Sequence, residues 1–246
     1  MSESEISDNT LCTLGEGPMW HPKRESLIWF DIMGMCMYER GLSQTKPNKF
    51  QFNHYVSACG WINEKEILIA TSKSIDTFNL EDRSSKSLVD LESENTLTRP
   101  NDGRADPFGG FWISTMGIKH ENEFGSIYRF YRGELRKLFS KISVPNSICF
   151  SPDGAIGYFS DSSSHIIMAV KLDSNGWPVS EPETFIDLRS ENLIPDGSVV
   201  DKQGCLWNAQ WGSSRVAQYS PSGERLKIIE IDAPNSSCPE FGGDNG

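Results

Sequence analysis

Four residues of this 246-residue chain have the types and spacing that metal chemistry needs: Glu16, Asn101, Asn146 and Asp196. Each lies six positions before the start of a turn, at Pro22, Pro107, Pro152 and Lys202 respectively. The same count lands on Ser57 before Asn63 and on Ser237 before Gly243. Two carboxylates, two amides and two serines therefore share one register position. Brought together, they form an all-oxygen set with two negative charges, which suits a hard divalent cation such as Ca²⁺, Mg²⁺ or Mn²⁺. Without a cation the two carboxylates would repel, and at least one would raise its pKa. The alternative is that these polar residues simply satisfy strand ends. Register also separates two identical tripeptides: Pro152-Asp153-Gly154 falls in a turn, whereas Pro195-Asp196-Gly197 falls at the shared position.

The elements that must position these residues are hairpins. Arg99 to Met116 (RPNDGRADPFGGFWISTM) reads as strand, Pro/Gly turn and aromatic strand. The layout recurs at Gly15–Asp31, Ser57–Ala70, Asn146–Asp161 and Asp196–Asn208, and starts again at Cys238 before the chain stops. Further short β-type runs lie between the copies, and helical periodicity is scarce. Four short strands per repeat at a spacing of about 40 to 50 residues is the pattern of a β-propeller. The expectation is an all-β, six-bladed propeller whose first strands line a central channel, with the sixth blade incomplete at the C-terminus. Residues 1–9 read as a flexible tail and 10–246 as one domain. Thr10–Leu14 is expected to supply an outer strand to the last blade, and the chain reads as a shortened form of a longer protein.

Composition narrows the partners. A net charge of −11 with no Lys/Arg-rich stripe speaks against nucleic acid or an anionic membrane surface. The six cysteines are scattered singly, without CxxC or Cys/His ligand spacing, and read as reduced thiols in a cytoplasmic protein. No apolar run approaches about 18 residues. A monomer or weak homo-oligomer is expected.

The motifs also carry a family likeness. Leu14-Gly15-Glu16-Gly17-Pro18-x-Trp20, Arg99-Pro100-Asn101-Asp102-Gly103-Arg104-x-Asp106-Pro107, Pro145-Asn146 leading into Ser151-Pro152-Asp153-Gly154, and Pro195-Asp196-Gly197 leading into Gly204-x-Leu206-Trp207 occur in order. With them the chain resembles the SMP-30/gluconolactonase/regucalcin-like family of six-bladed propellers from about residue 11 to 243. The resemblance implies metal-dependent hydrolysis of a sugar lactone. It implies one divalent cation, Ca²⁺ first, with Zn²⁺, Mg²⁺, Mn²⁺ or Fe²⁺ as alternatives, held by Glu16, Asn146 and Asp196. It makes Asp196 the catalytic acid and base as well, and Arg99 and Asn101 the substrate-binding pair. The loop Gly117–Gly125 falls where the family places a substrate-selecting lid; of Lys119, His120, Glu121 and Glu123, Glu121 is the expected substrate contact, the alternative being a solvated charge. Two departures stand out. Ser147 replaces the glycine usual after the metal-binding Asn, and Ser114 replaces a glycine before Thr115-Met116; neither is expected to touch a ligand position.

Three alternatives remain at this level. Arg99 could form a salt bridge to Asp102 or Asp106 instead of meeting substrate. The chain could be a calcium- or ligand-binding propeller without turnover, or a metal-dependent esterase of another class. Other nucleophile chemistries lack their motifs, since no GxSxG, HExxH or P-loop is present. His21, His54 and His165 read as structural, and Trp20, Trp29, Trp112 and Trp207 as packing between blades.

Overall fold

A computed structural model describes residues 4–243, and apart from two single-turn 3₁₀ segments its regular elements are all strands. Blade one comprises β1 (Gly15–His21), β2 (Ser26–Asp31), β3 (Cys36–Gly41) and β4 (Asn48–Gln51). Blade two comprises β5 (Val56–Trp61), β6 (Glu66–Thr71), β7 (Ser74–Asn79) and β8 (Ser85–Asp90). Blade three has β9 (Thr98–Ala105), β10 (Phe111–Gly117), β11 (Gly125–Tyr131) and β12 (Glu134–Ile142). Blade four has β13 (Pro145–Phe150), β14 (Ile156–Asp161), β15 (Ile166–Lys171) and β16 (Glu183–Asp187). Blade five has β17 (Ile194–Val200), β18 (Leu206–Trp211), β19 (Arg215–Tyr219) and β20 (Arg225–Glu230). Each blade is a four-stranded antiparallel meander in chain order.

Burial falls from the inner strand outwards. β13 is buried throughout and β5 nearly so, whereas β8 and β20 are almost wholly exposed. Inner strands that are buried yet carry Asn101, Asp102, Asn146 and Asp196 must face one another across a polar centre. Four clusters of buried hydrophobic side chains lie one at each interface between successive blades. Ile28, Phe30 and Phe50 meet Ile67, Ile69 and Phe78 between blades one and two. Ala70 and Ile75 meet Phe111 and Ile113 between two and three. Trp112 meets Phe150, Phe159 and Val170 between three and four, and Ile167 and Ile186 meet Leu206 and Tyr219 between four and five. Each blade thus completes its neighbour's core, which is the physical reason for the repeat.

The blade count is a correction to the sequence reading. The described residues form five four-stranded sheets, not six. Residues 232–243 lie between blades five and one without joining a ladder. Gly197 N–H donates to the Ser237 carbonyl at 2.7 Å, and Ser237 Oγ donates to the Gly15 carbonyl at 2.6 Å. Phe241 packs edge-on against Trp207, and Gly242 lies flat on the Trp20 ring, where a Cβ would meet it at 2.8 Å. A single extended segment with no second strand beside it has no hairpin partner, so contacts to its neighbours replace a sheet. Thr10–Leu14 forms no strand either. The Asp31 carboxylate accepts the N–H groups of Thr13 and Leu14, both at 3.0 Å, and holds that segment at the end of blade one.

All six cysteines are free, and among the described residues no helix is long and apolar enough to cross a membrane.

Candidate active site

A β-bulge interrupts every inner ladder at the shared register position. Between β1 and β2 the pairing slips between Glu16 and Met19, and between β5 and β6 between Val56 and Ala58. The slips of β13 and β17 fall between Asn146 and Cys149 and between Pro195 and Ser198. In blade three, Asn101 and Asp102 lie between the paired residues Pro100 and Gly103. A bulge adds a residue to one strand and re-aims its side chains, so the repeat turns one polar group per blade toward the centre. Two of these kinks use left-handed backbone. Gly17 has φ 56° and lies so close to the Ser57 carbonyl that no side chain fits. Ser147 has φ 60° without being glycine.

The result is a cavity of about 490 Å³ at one end of the channel, whose wall includes Glu16, Arg99, Asn101, Asn146 and Asp196. Its rim is fixed by two equivalent aspartates, each the last residue of the second strand of its blade. Asp31 holds Thr13 and Leu14, and Asp161 accepts from Ser143 N and Val144 N, both at 3.0 Å.

One hydrogen-bond chain joins blades three, four and five. Arg99 Nη1 donates to Asn101 Oδ1 at 2.8 Å, and Asn101 Nδ2 donates to Asn146 Oδ1 at 2.8 Å. Asn146 Nδ2 donates to Ser162 Oγ at 2.9 Å, which donates to the Pro195 carbonyl at 2.6 Å. The polarity of this chain is fixed from both ends, because a guanidinium only donates and a carbonyl only accepts. Both amides are therefore oriented, and Asn146 presents its oxygen, not its nitrogen, beside Asn101. From below, Ser147 Oγ donates to the Asp196 carbonyl, and Asn208 Nδ2 donates to the same oxygen at 3.1 Å. Ser147, expected to touch no ligand position, in fact grips the backbone of Asp196.

The electrostatics are lopsided. Burial, and then the charge of Asp102, push the Glu16 carboxyl up to about 8. Burial, followed by Glu16 and Asp102, raises Asp196 well above the carboxylate range, and burial raises Asp102 too. Arg99 faces this group with its own pKa lowered by burial, partly offset by Glu16. Asp196 Oδ1 is buried and has no hydrogen-bond partner. An orphaned carboxylate oxygen, a second desolvated carboxylate and an oriented amide oxygen fit a hard divalent cation. Among the described residues no cluster of three or more His, Cys, Asp or Glu stands together; the candidate set combines two carboxylates with an amide. Arg104, on the same strand as Asn101, donates to Glu240 at 2.7 Å and to the Ile148 carbonyl at 3.2 Å.

One alternative falls away and one expectation changes. Arg99 pairs with neither Asp102 nor Asp106. Asp106 is bound to Arg129 at 2.6 Å in a fully buried pair, and Asp102 accepts from Ile148 N at 2.7 Å. Glu121 does not reach the cavity wall. The turn that bonds His120 N to the Gly117 carbonyl points His120 inward instead, and the Glu121 carboxylate turns back to accept from Lys119 N at 3.0 Å. Sequence reasoning also missed Ser162, which carries the chain of hydrogen bonds, and it took His165 as structural although this residue lines the cavity. Both sit in the short turn after Asp161, which no repeat pattern marks.

Comparison with known proteins follows the same register. A family description, SMP-30/Gluconolactonase/LRE-like region, matches residues 14–246, which include every inner strand. The chain belongs to this family. The L-arabinolactonase of Azospirillum brasilense is 30% identical over 250 residues, covering 98% of this chain and 82% of that protein. The 6-deoxy-6-sulfogluconolactonase of Pseudomonas putida is 27% identical, covering 94% and 80%. The crystal structure of the calcium-binding protein regucalcin from Agrobacterium tumefaciens superposes with a TM-score of 0.94 at 38% identity, covering 96% of this chain and 80% of that one.

Proposed function

We propose that this protein is a lactonase that opens a sugar lactone to its hydroxy acid with the help of one divalent cation. The observation that carries the reading is Arg99. Its buried guanidinium stands in the cavity beside two carboxylates, makes no ion pair among the described residues, and is tied only to the Asn101 and Pro100 oxygens. A site built to hold a cation alone has no use for a second, fixed positive group there; a site that must grip an oxygen-rich substrate has. Lactonase relatives support the same assignment.

In this reading Glu16, Asn146 and Asp196 would hold the cation, which when bound supplies Lewis-acid polarisation for an ester carbonyl. The remaining work falls to the chain itself. Arg99 offers N–H groups to substrate oxygens, with its plane set by Asn101. Asp196 takes a proton from the attacking water as the new C–O bond forms. It returns that proton to the ring oxygen as the old C–O bond breaks. Both transfers need one carboxyl at the reacting ester, and Asp196 stands on the cavity wall with Oδ1 unpartnered. The apolar wall around Met116 and Ile118 limits bulk water beside the reacting ester.

The second reading is a cation-binding propeller without turnover, favoured by the structural likeness to a calcium-binding protein. One plate distinguishes them: five- and six-carbon aldonolactones assayed with metal-stripped protein plus single divalent ions. Cation-dependent turnover supports the lactonase; cation binding with no turnover of any lactone overturns it.

A further inference from the structure

The cavity has a corner that the proposed chemistry does not use. It is formed where the β14–β15 turn of blade four meets the start of blade five. His165 closes that turn with left-handed backbone, φ 59°, and its N–H bonds back to the Ser162 carbonyl at 3.3 Å. Its own carbonyl accepts from Leu188 N at 2.9 Å. The imidazole Nδ1 lies 2.8 Å from the Leu193 carbonyl. A carbonyl can only accept, so Nδ1 carries a proton, and in the uncharged tautomer that this bond selects Nε2 is the acceptor. Nε2 has no hydrogen-bond partner among the described residues, and the ring lines the cavity. The next residue along from Leu193 is Ile194, which pairs with Trp211 across β17 and β18, and both also line the cavity.

We infer that His165 is a specificity-determining residue: Nε2 accepts a hydrogen bond from a hydroxyl at the end of the substrate away from the ester, while Ile194 and Trp211 cover the adjoining C–H face. The inference rests on the lactonase reading and adds to it the residue that recognises a substrate hydroxyl, so that a hydroxylated lactone is preferred over an unsubstituted cyclic ester through His165. An imidazole anchored on one nitrogen and unpartnered on the other is a fixed acceptor whose orientation is settled before substrate arrives. Little ordering entropy then offsets the bond it makes. A lone pair presented at this place selects O–H donors and discriminates against carbonyl or ether oxygens there.

The test compares two substrates on the same variant. His165→Asn places an amide N–H near the Nδ1 position, so the anchor to Leu193 survives, and Asn is tolerated at positive φ; Nε2 is lost. His165→Gln serves as a second variant, with its polar end near Nε2. KM and kcat are measured for a hydroxylated aldonolactone and for unsubstituted δ-valerolactone. The expected result for His165→Asn is a KM about three- to tenfold higher for the aldonolactone, the range of one neutral hydrogen bond. δ-Valerolactone kinetics should be unchanged, and His165→Gln should restore part of the difference. Equal changes for both lactones, or none for either, would overturn the inference and leave the imidazole as a tether between the turn and Leu193. If wild-type protein turns over neither lactone with any divalent ion, the lactonase reading falls and takes this inference with it.

Discussion

Asn101 Nδ2 of blade three donates to Asn146 Oδ1 of blade four across 2.8 Å. This bond places an amide from the substrate side of the cavity against an amide from the proposed cation side, and neither can rotate without breaking the order set by Arg99 and the Pro195 carbonyl. In the proposed reading, substrate grip and cation grip are thereby one network. Changes on either side should not add.

Asn101→Leu keeps the volume and removes both polar ends. It leaves Arg99 Nη1 and Asn146 Oδ1 short of a partner, which costs about 1–3 kcal/mol in buried surroundings. Lactone kcat/KM should fall at least tenfold. Combined with Arg99→Lys, the loss should be smaller than the product of the single effects, with a coupling of about 0.5–3 kcal/mol. Simple additivity in the double-mutant cycle would separate the two residues.

Arg99→Lys alone keeps the charge and discards the planar fork. Because Arg99 is bound to amide and carbonyl oxygens and to no carboxylate, turnover should drop while the melting temperature moves by a few degrees at most. A large fall in melting temperature with normal kinetics would give Arg99 a structural role.

Ser147 allows strain and function to be separated. Both Ser147→Gly and Ser147→Ala remove the hydroxyl that grips the Asp196 carbonyl, so both should lower kcat several-fold. Only the alanine keeps a Cβ at φ 60°, where left-handed backbone costs about 1–2 kcal/mol. The glycine variant should therefore melt higher than the alanine variant. Equal kcat in wild type and both variants would show that the grip on Asp196 is catalytically idle.

The raised carboxyls of Glu16 and Asp196 predict the pH dependence of the metal-free protein. A carboxyl whose folded pKa exceeds its unfolded value binds more protons when folded, so stability is lost as pH rises toward the folded pKa. For Glu16 that window runs from its ordinary value of 4.5 to about 8. His21 and His54 act in the opposite direction, since burial lowers them, but only below their ordinary value of 6.5. Between pH 6.8 and 8 the melting temperature of metal-stripped protein should fall, and a saturating divalent cation should flatten the profile. A rise over that interval would contradict the buried-carboxylate description.

Much of this is legible in the sequence. The count of six placed Glu16, Asn101, Asn146 and Asp196 at one register, and the cavity brings those four together. The same count set Asp153 apart, and it sits exposed in its turn with Ser151. Strand-first periodicity carries such information because each blade repeats the same bulge. What it could not carry lies in turns and at the chain's closure. His120 and Glu121 are neighbours in one loop, and only the turn's own hydrogen bonds, His120 N to the Gly117 carbonyl and Lys119 N to the Glu121 carboxylate, distinguish the residue on the cavity wall from the one turned back. The sixth blade failed because an inner segment around Ser237 does not make a sheet without a hairpin partner. Arg104 and Glu240, 136 residues apart, share no local pattern at all.

The central claim is that Asp196 moves the proton in lactone opening, and its most direct test is the rate of aldonolactone hydrolysis by Asp196→Asn beside wild type and Asp153→Asn. All three are measured with saturating divalent cation and checked for a native circular dichroism spectrum. Loss of an acid–base group lowers rate by about 10²- to 10⁴-fold. The expected result is that loss for Asp196→Asn, with Asp153→Asn indistinguishable from wild type. A folded Asp196→Asn protein with near-normal kcat would contradict the claim outright.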